Sequence, residues 1–186
     1  MVFSSFVFLL AFLPIVLLLY YLCPARLRNL VLLVFSLVFY AWGEPVYVLI
    51  MLFSIVFDYA NGRLIEHFKN CPGKAKAALI VDLCGNLAIL GFFKYTDFVI
   101  GSINSITGAG LSLLHIALPI GISFYTFQTM SYTIDVYRGE VAAQKNILTF
   151  ATYVTLFPQL IAGPIVRYSD IAGSLKNRKT TLADAS

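Results

Sequence analysis

The chain has 186 residues, 60% of them hydrophobic and 12% charged, with a mean hydropathy of +0.86 and a net charge of +4. A water-soluble domain is nearer half apolar and a quarter charged, so this composition is that of an integral membrane protein. It excludes a disordered chain, a nucleic-acid module with clustered bases and a disulfide scaffold; Cys23, Cys71 and Cys84 are scattered, form neither a CxxC pair nor a zinc set, and read as free thiols.

Residues 1–25 carry no Asp, Glu, Lys or Arg. At about 1.5 Å per residue they can cross a hydrocarbon core of about 30 Å. A cleaved signal peptide would begin with basic residues and end on small ones, whereas this run ends Tyr20-Tyr21-Leu22-Cys23-Pro24, so the segment is expected to stay attached as a first span. Residues 29–43 are again uncharged, break at Gly43-Glu44-Pro45 and resume over 46–57, which predicts a helical hairpin with Trp42 and Tyr47 in the interfacial belt. Its arms reach membrane length only if Arg26, Arg28, Asp58 and Arg63 snorkel at the edges.

Residues 61–76 hold Arg63, Lys69, Lys74 and Lys76 against Glu66 alone and predict a loop. A fourth span over 77–93 has Asp82 near its start. A Gly/Ser/Asn-rich connection around 102–110, an interfacial segment and a fifth span from about His115 to Asp135 follow. With the N-terminus outside, Arg26, Arg28, Arg63, Lys69, Lys74, Lys76, Arg138 and Lys145 fall on the cytoplasmic side and Lys94 alone falls outside, as the positive-inside bias requires. The last apolar stretch, 146–166, is interrupted at Pro158 and again at Gly163-Pro164, and a full crossing would place Arg167, Lys176, Arg178 and Lys179 outside. A broken, re-entrant segment is expected instead, and irregular backbone at membrane depth survives only where protein or a polar cavity surrounds it. The expected fold is therefore all-α and polytopic, with about five spans plus a re-entrant broken helix.

On a helical fifth span Gly121, Phe124, Gln128, Ser131, Asp135 and Arg138 share one face, while Phe127, Met130, Ile134 and Tyr137 face away. An amide, a hydroxyl, an acid and a base on one stripe are costly against lipid and should meet the bundle interior or a wet cavity. Two readings stay open: Gln128 and Ser131 are interhelical glue while Asp135 and Arg138 pair at the membrane edge, or the whole stripe lines a cavity. His67 lies in the basic loop and His115 at the outer end of the fifth span; neither has a carboxylate or nucleophile beside it in sequence, and both read as structural. Asp82, an acid about one turn into a span, is a functional candidate with Lys76 or the Lys94 neighbourhood as possible partners.

The run Leu118-Pro-Ile-Gly-Ile-Ser-Phe-Tyr-Thr-Phe-Gln-Thr-Met-Ser-Tyr132, continuing through Ile134-Asp-Val-Tyr-Arg-Gly139, and the later run Phe157-Pro-Gln-Leu-Ile-Ala-Gly-Pro-Ile-Val-Arg167 resemble the membrane-bound O-acyltransferase family. The resemblance is nearest to its bacterial branch of alginate O-acetylation and teichoic acid D-alanyl transfer proteins, and Tyr40-Ala-Trp-Gly-Glu-Pro45 and Gly91-Phe-Phe-Lys-Tyr95 fit the same branch. It implies a ring of helices around a thin centre with funnels from both faces. It also implies transfer of an acyl group, acetyl first among the choices, across a bacterial cytoplasmic membrane to hydroxyls of an exported polysaccharide such as alginate. The implied partners are the lipid bilayer, an acyl donor such as acetyl-CoA or an acyl carrier on the cytoplasmic side, and extracytoplasmic relay proteins; no bound cofactor, metal or nucleic acid is implied.

The family's catalytic histidine lies beyond the counterpart of Ser186. The resemblance therefore makes residues 1–186 the N-terminal portion of a single transmembrane acyltransferase domain, inactive alone, and carries over no catalytic residue. What it carries over is Gln128, Ser131, Asp135, Arg138, Gln159 and Arg167 as channel-lining or donor-binding positions, with Pro158, Gly163 and Pro164 as structural breaks. Arg138 and Arg167 would attract an anionic donor. A transporter or channel component, or an inactive scaffold, is the competing reading, although no convincing inverted repeat supports transport.

Overall fold

A computed structural model describes residues 6–24, 27–108, 110–162 and 167–170; these are all helix, turn and irregular chain, with no strand among them. The chain opens with a short π-helix, Phe8–Phe12, that runs into α1, Leu13–Leu22. Pro14 explains the widened turns: it has no N–H to continue the ladder, and its ring crowds the carbonyl one turn back. Then come α2, Arg28–Gly43, and α3, Val48–His67, joined by the short turn predicted at Gly43-Glu44-Pro45. Next are α4, Pro72–Thr107, and α5, Ile122–Arg138. The chain then forms α6, Ile147–Thr155, and α7, Phe157–Ala162. Two helices, α3 and α4, are long and apolar enough to cross a membrane; Phe8–Leu22 and Arg28–Gly43 are shorter apolar helices.

Four boundaries differ from expectation. The basic loop shrinks to residues 68–71, because α3 continues to His67 and α4 starts at Pro72. Proline suits that start, since the first-turn N–H groups have no intrahelical acceptor anyway. The connection at 102–110 is helical as far as Thr107, where Gly108 in the left-handed region (φ 67°) ends α4. Hydroxyls make this possible: Ser102, Ser105 and Thr107 each donate to the carbonyl four residues back, at 2.8, 2.9 and 2.7 Å, and hide their polarity within the helix.

The fifth helix begins at Ile122 rather than near His115. Residues 111–119 are irregular and clamped to α4: the Asp97 carboxylate accepts from the Leu114 and Ile116 N–H groups at 2.8 and 3.2 Å, and Asn104 exchanges two hydrogen bonds with Leu111. Finally, the break after α6 falls at Leu156, and Pro158 sits inside the first turn of α7, where proline is tolerated. Gly163 and Pro164, the second expected break, lie outside the described residues.

The core lies where α3 packs on α4 and α5, and α2 packs on α6. Met51, Ile55, Ile65, Tyr125, Tyr132, Phe150 and Tyr153 are buried there. A second cluster of Phe8, Phe12, Phe39 and Phe157 joins the first helical segment and α2 to the start of α7, with Phe157 5.6 Å from the Phe12 ring and 5.8 Å from the Phe39 ring. The apolar outer surface is typified by exposed Leu10, Leu18, Leu49, Phe53, Phe92 and Phe98, as expected of helices facing hydrocarbon.

Candidate functional site

The break between α6 and α7 is built into the protein rather than left at its surface. Helix α6 starts on an Asn146 cap, whose side chain accepts from the Leu148 N–H, and ends after nine residues. Stopping there deprives its last carbonyls of partners four residues on. Gln128 of α5 donates from Nε2 to the Tyr153 carbonyl at 3.2 Å, and Ser36 of α2 accepts from the Phe157 N–H at 3.3 Å. Backbone groups on both sides of the break are thus met by buried side chains of two different helices, and the Phe8–Phe12–Phe39 cluster braces Phe157.

Gln128 is fully buried, and its Oε1 is without a hydrogen-bond partner, as are the buried Nε2 of Gln159 on α7 and Oδ2 of Asp135 on α5. These unmet donor and acceptor atoms lie on α5 and α7, the helices on either side of α6 in the chain. Asp135 does not form an ion pair with Arg138. The Arg138 guanidinium, on an exposed side chain, instead lies 3.8 Å from Glu140, while both Arg138 and Arg167 stand within electrostatic reach of the Asp135 carboxylate. Ser131 is half-buried and Arg167 exposed.

The buried face of α5 is broader than the stripe read from sequence. Tyr125, Thr126, Thr129, Tyr132 and Thr133 are buried beside Gln128 and Asp135, and Phe127 and Tyr137 face outward as expected. Tyr132 helps to hold the α5–α6 connection: its hydroxyl accepts from the Gln144 N–H at 2.8 Å, and Gln144 Nε2 donates to the Tyr168 hydroxyl at 2.7 Å. The connection is also tied to α3, since Glu66 accepts from the Ala143 N–H at 3.1 Å and the Tyr59 hydroxyl donates to the Lys145 carbonyl at 2.7 Å.

Sequence reasoning singled out Asp82 but missed the other members of a second polar centre. Asp58 of α3 is buried rather than at an edge, and Asn86 of α4 donates to its Oδ1 at 2.6 Å. Asp82 takes neither Lys76 nor Lys94 as partner; Thr133 of α5 donates to its Oδ2 at 2.6 Å. The available signal was a polar pair on each helix at helical spacing, Asp58/Asn61, Asp82/Asn86 and Thr129/Thr133. His67 and His115 are both exposed, His67 against the Phe68 ring and His115 in the irregular segment with φ 50°.

A chain all-helical over its described residues, with two helices long and apolar enough to cross a membrane, is of the class of helical membrane proteins. Within that class the chain is similar to the probable alginate O-acetylase AlgI of Pseudomonas syringae pv. tomato, with 46% identity over 186 residues, covering 98% of this chain and 36% of that protein. The corresponding protein of Azotobacter vinelandii is also 46% identical, with 37% of its length covered. A peptidoglycan O-acetyltransferase of Helicobacter pylori is 33% identical over 208 residues, covering 96% of this chain and 39% of that protein. The similarity runs along nearly the whole of this chain, which spans a little over a third of the length of these relatives. No protein-family model matches it, and no solved structure is similar to it.

Proposed function

We propose that the protein takes part in O-acetyl transfer across a bacterial cytoplasmic membrane, from a cytoplasmic acyl donor to hydroxyls of an exported polysaccharide, with alginate the first candidate acceptor. The observation that carries this reading is the 46% identity to probable alginate O-acetylases over nearly the whole chain. The relatives do not favour a transporter or a scaffold. In this reading the α6–α7 break opens the backbone at membrane depth, and Gln128, Asp135 and Gln159 offer unmet polar atoms to the group in transit. Arg138 and Arg167, exposed near Asp135, draw in an anionic donor.

The topology that goes with this is about five crossings with the N-terminus outside. Its support is the charge distribution: Arg63, Lys69, Arg138 and Lys145 gather where the end of α3 meets the α5–α6 connection, with Lys69 beside Gly139. From Pro72 to Lys94, α4 is roughly 33 Å long at about 1.5 Å per residue, close to one hydrocarbon thickness, which supports a reading with Lys94 and Tyr95 at the opposite membrane edge.

The test is the O-acetyl content of the cell's exported polysaccharide, measured in the parent, in a strain lacking the gene and in that strain with the intact gene restored. Loss in the deletion and recovery on restoration are expected. Unchanged acetylation of alginate and of peptidoglycan would overturn the proposal.

A further inference from the structure

The Asp58–Asp82 centre lies where α3, α4 and α5 meet and is separate from the α6–α7 break. Both carboxyl groups are fully buried. Each has one oxygen supplied with a donor: Asp58 Oδ1 by Asn86 Nδ2 and Asp82 Oδ2 by the Thr133 hydroxyl, both at 2.6 Å. Asn86 also donates to the Asp82 backbone carbonyl at 3.0 Å, which fixes the amide between the two acids. Asp58 Oδ2 and Asp82 Oδ1 make no hydrogen bond of good geometry; Thr129 stands within reach of Asp58, Asn61 within reach of Asp82, and the two carboxyl groups within reach of each other.

The described residues around the pair offer no opposite charge. Asn61 of α3 and Thr129 of α5 complete the polar wall, and Thr129 donates its hydroxyl proton to the Thr126 carbonyl at 3.1 Å. The buried Tyr125 phenol of α5 is within electrostatic reach of Asp58, and that of Tyr40 on α2 within reach of Tyr125; neither hydroxyl has a hydrogen-bond partner. The ion pairs among the described residues are Arg63 with Glu66 and Arg138 with Glu140, so no cation among the described residues meets either acid. No group of three or more His, Cys, Asp or Glu side chains that could hold a metal ion occurs among the described residues, which leaves this pair short of a divalent-ion set.

Two ionised carboxylates in this position would repel in a low dielectric, each with an acceptor face left unmet. A single proton shared between the two carboxyl groups gives them one hydrogen bond and leaves one negative charge, which Asn86 and Thr133 already solvate. We propose that Asp58 and Asp82 bind one proton between them, making the α3–α4–α5 junction a proton-binding site of the membrane interior. Removing that proton sets a second charge against the first across the α3–α4 contact, on which α5 packs through its Thr133 bond to Asp82.

Infrared spectroscopy on the intact gene product in detergent at neutral pH tests the proposal. The carbonyl stretch of a protonated carboxylic acid, resolved from the carboxylate bands, should be present, shift in heavy water, and move on carbon-13 labelling of aspartate. It should be lost in Asp58→Asn and in Asp82→Asn, each of which keeps the side-chain shape and supplies an N–H where the proton stood, and it should persist in Asp135→Asn. The labelling result needs no variant, so a variant that fails to accumulate does not shelter the proposal. Absence of a labelled acid carbonyl, its survival in both single variants, or carboxylate bands that respond to sodium titration in place of an acid band would overturn it.

Discussion

Gln128 shows how one side chain holds a helix break in place. Its Nε2 meets the Tyr153 carbonyl at 3.2 Å from full burial, so Gln128→Leu withdraws a donor without leaving a cavity. The expected cost is about 1–3 kcal/mol, the desolvation penalty of a buried carbonyl that loses its partner, read as a lower unfolding midpoint in detergent. Gln128→Glu should be worse, because it removes the same donor and adds a buried charge beside a carbonyl. If both variants match the parent, the amide does not hold the break. Arg138→Ala, by contrast, should change stability by no more than about 1 kcal/mol, since its contact with Glu140 is exposed. Polysaccharide O-acetylation should nevertheless fall in that variant at equal membrane abundance; unchanged acetylation would remove Arg138 from any donor-guiding role. Gln128 was legible in sequence because an amide amid aromatic and aliphatic neighbours on an apolar helix stands out. Thr129 and Thr133 were not, since a hydroxyl on a helix can bond to its own backbone and needs no special site. Asp58 was misplaced because its helix was cut short in the reading; a helix that runs on to His67 carries it from an edge into the interior.

At the scale of elements, two glycines let the long helices approach. A Cβ built on Gly62 of α3 would lie 2.9 Å from Cε1 of Tyr132 on α5, and one built on Gly85 of α4 would lie 2.6 Å from Cζ of Phe57 on α3. Small residues bring helix backbones close enough for short polar side chains to bridge them, as Asn86 and Thr133 do. The two contacts differ in what can yield. Tyr132 is fully buried and its hydroxyl holds the Gln144 N–H, whereas Phe57 is only half-buried and stacks on the exposed Phe53. Gly62→Ala should therefore cost about 1–3 kcal/mol by overpacking. Gly85→Ala should cost less despite the shorter distance, because the Phe57 ring can swing toward lipid and alanine regains about 1 kcal/mol of helix propensity. Comparing the two midpoints in detergent decides it, and an equal or larger loss in Gly85→Ala would contradict the argument. The apolar runs and the Gly43-Glu44-Pro45 turn were readable from composition. The continuation of α4 to Thr107 was not, because Gly, Ser and Asn are loop residues until their hydroxyls and a long parent helix make the helical form cheaper.

At the scale of the whole molecule, charge decides the direction in which the helices run. The membrane character was evident from the scarcity of charge alone, but the pairing of ends depends on contacts distant in sequence: Glu66 with Ala143 and Tyr59 with Lys145 at one end, Asp97 with residues 114 and 116 at the other. These contacts place Cys71, exposed between α3 and α4, at the end that carries Arg63, Lys69, Lys74 and Lys145. Lys and Arg in short loops are retained on the cytoplasmic side, so this end should face inward. An impermeant thiol reagent applied to intact cells should leave Cys71 unlabelled and should label it once the membrane is opened. Cys84, exposed on the outer surface of α4 among apolar side chains, should react poorly in both states, because a lipid-facing side chain is out of reach of a water-borne reagent. A cysteine introduced at Leu113, exposed in the irregular segment at the opposite end, should react in intact cells. The three positions read out independently: labelling of Cys71 with protection of the Leu113 position would invert the orientation, whereas reaction at both ends in intact cells would mean that the two ends do not lie on opposite faces of a bilayer.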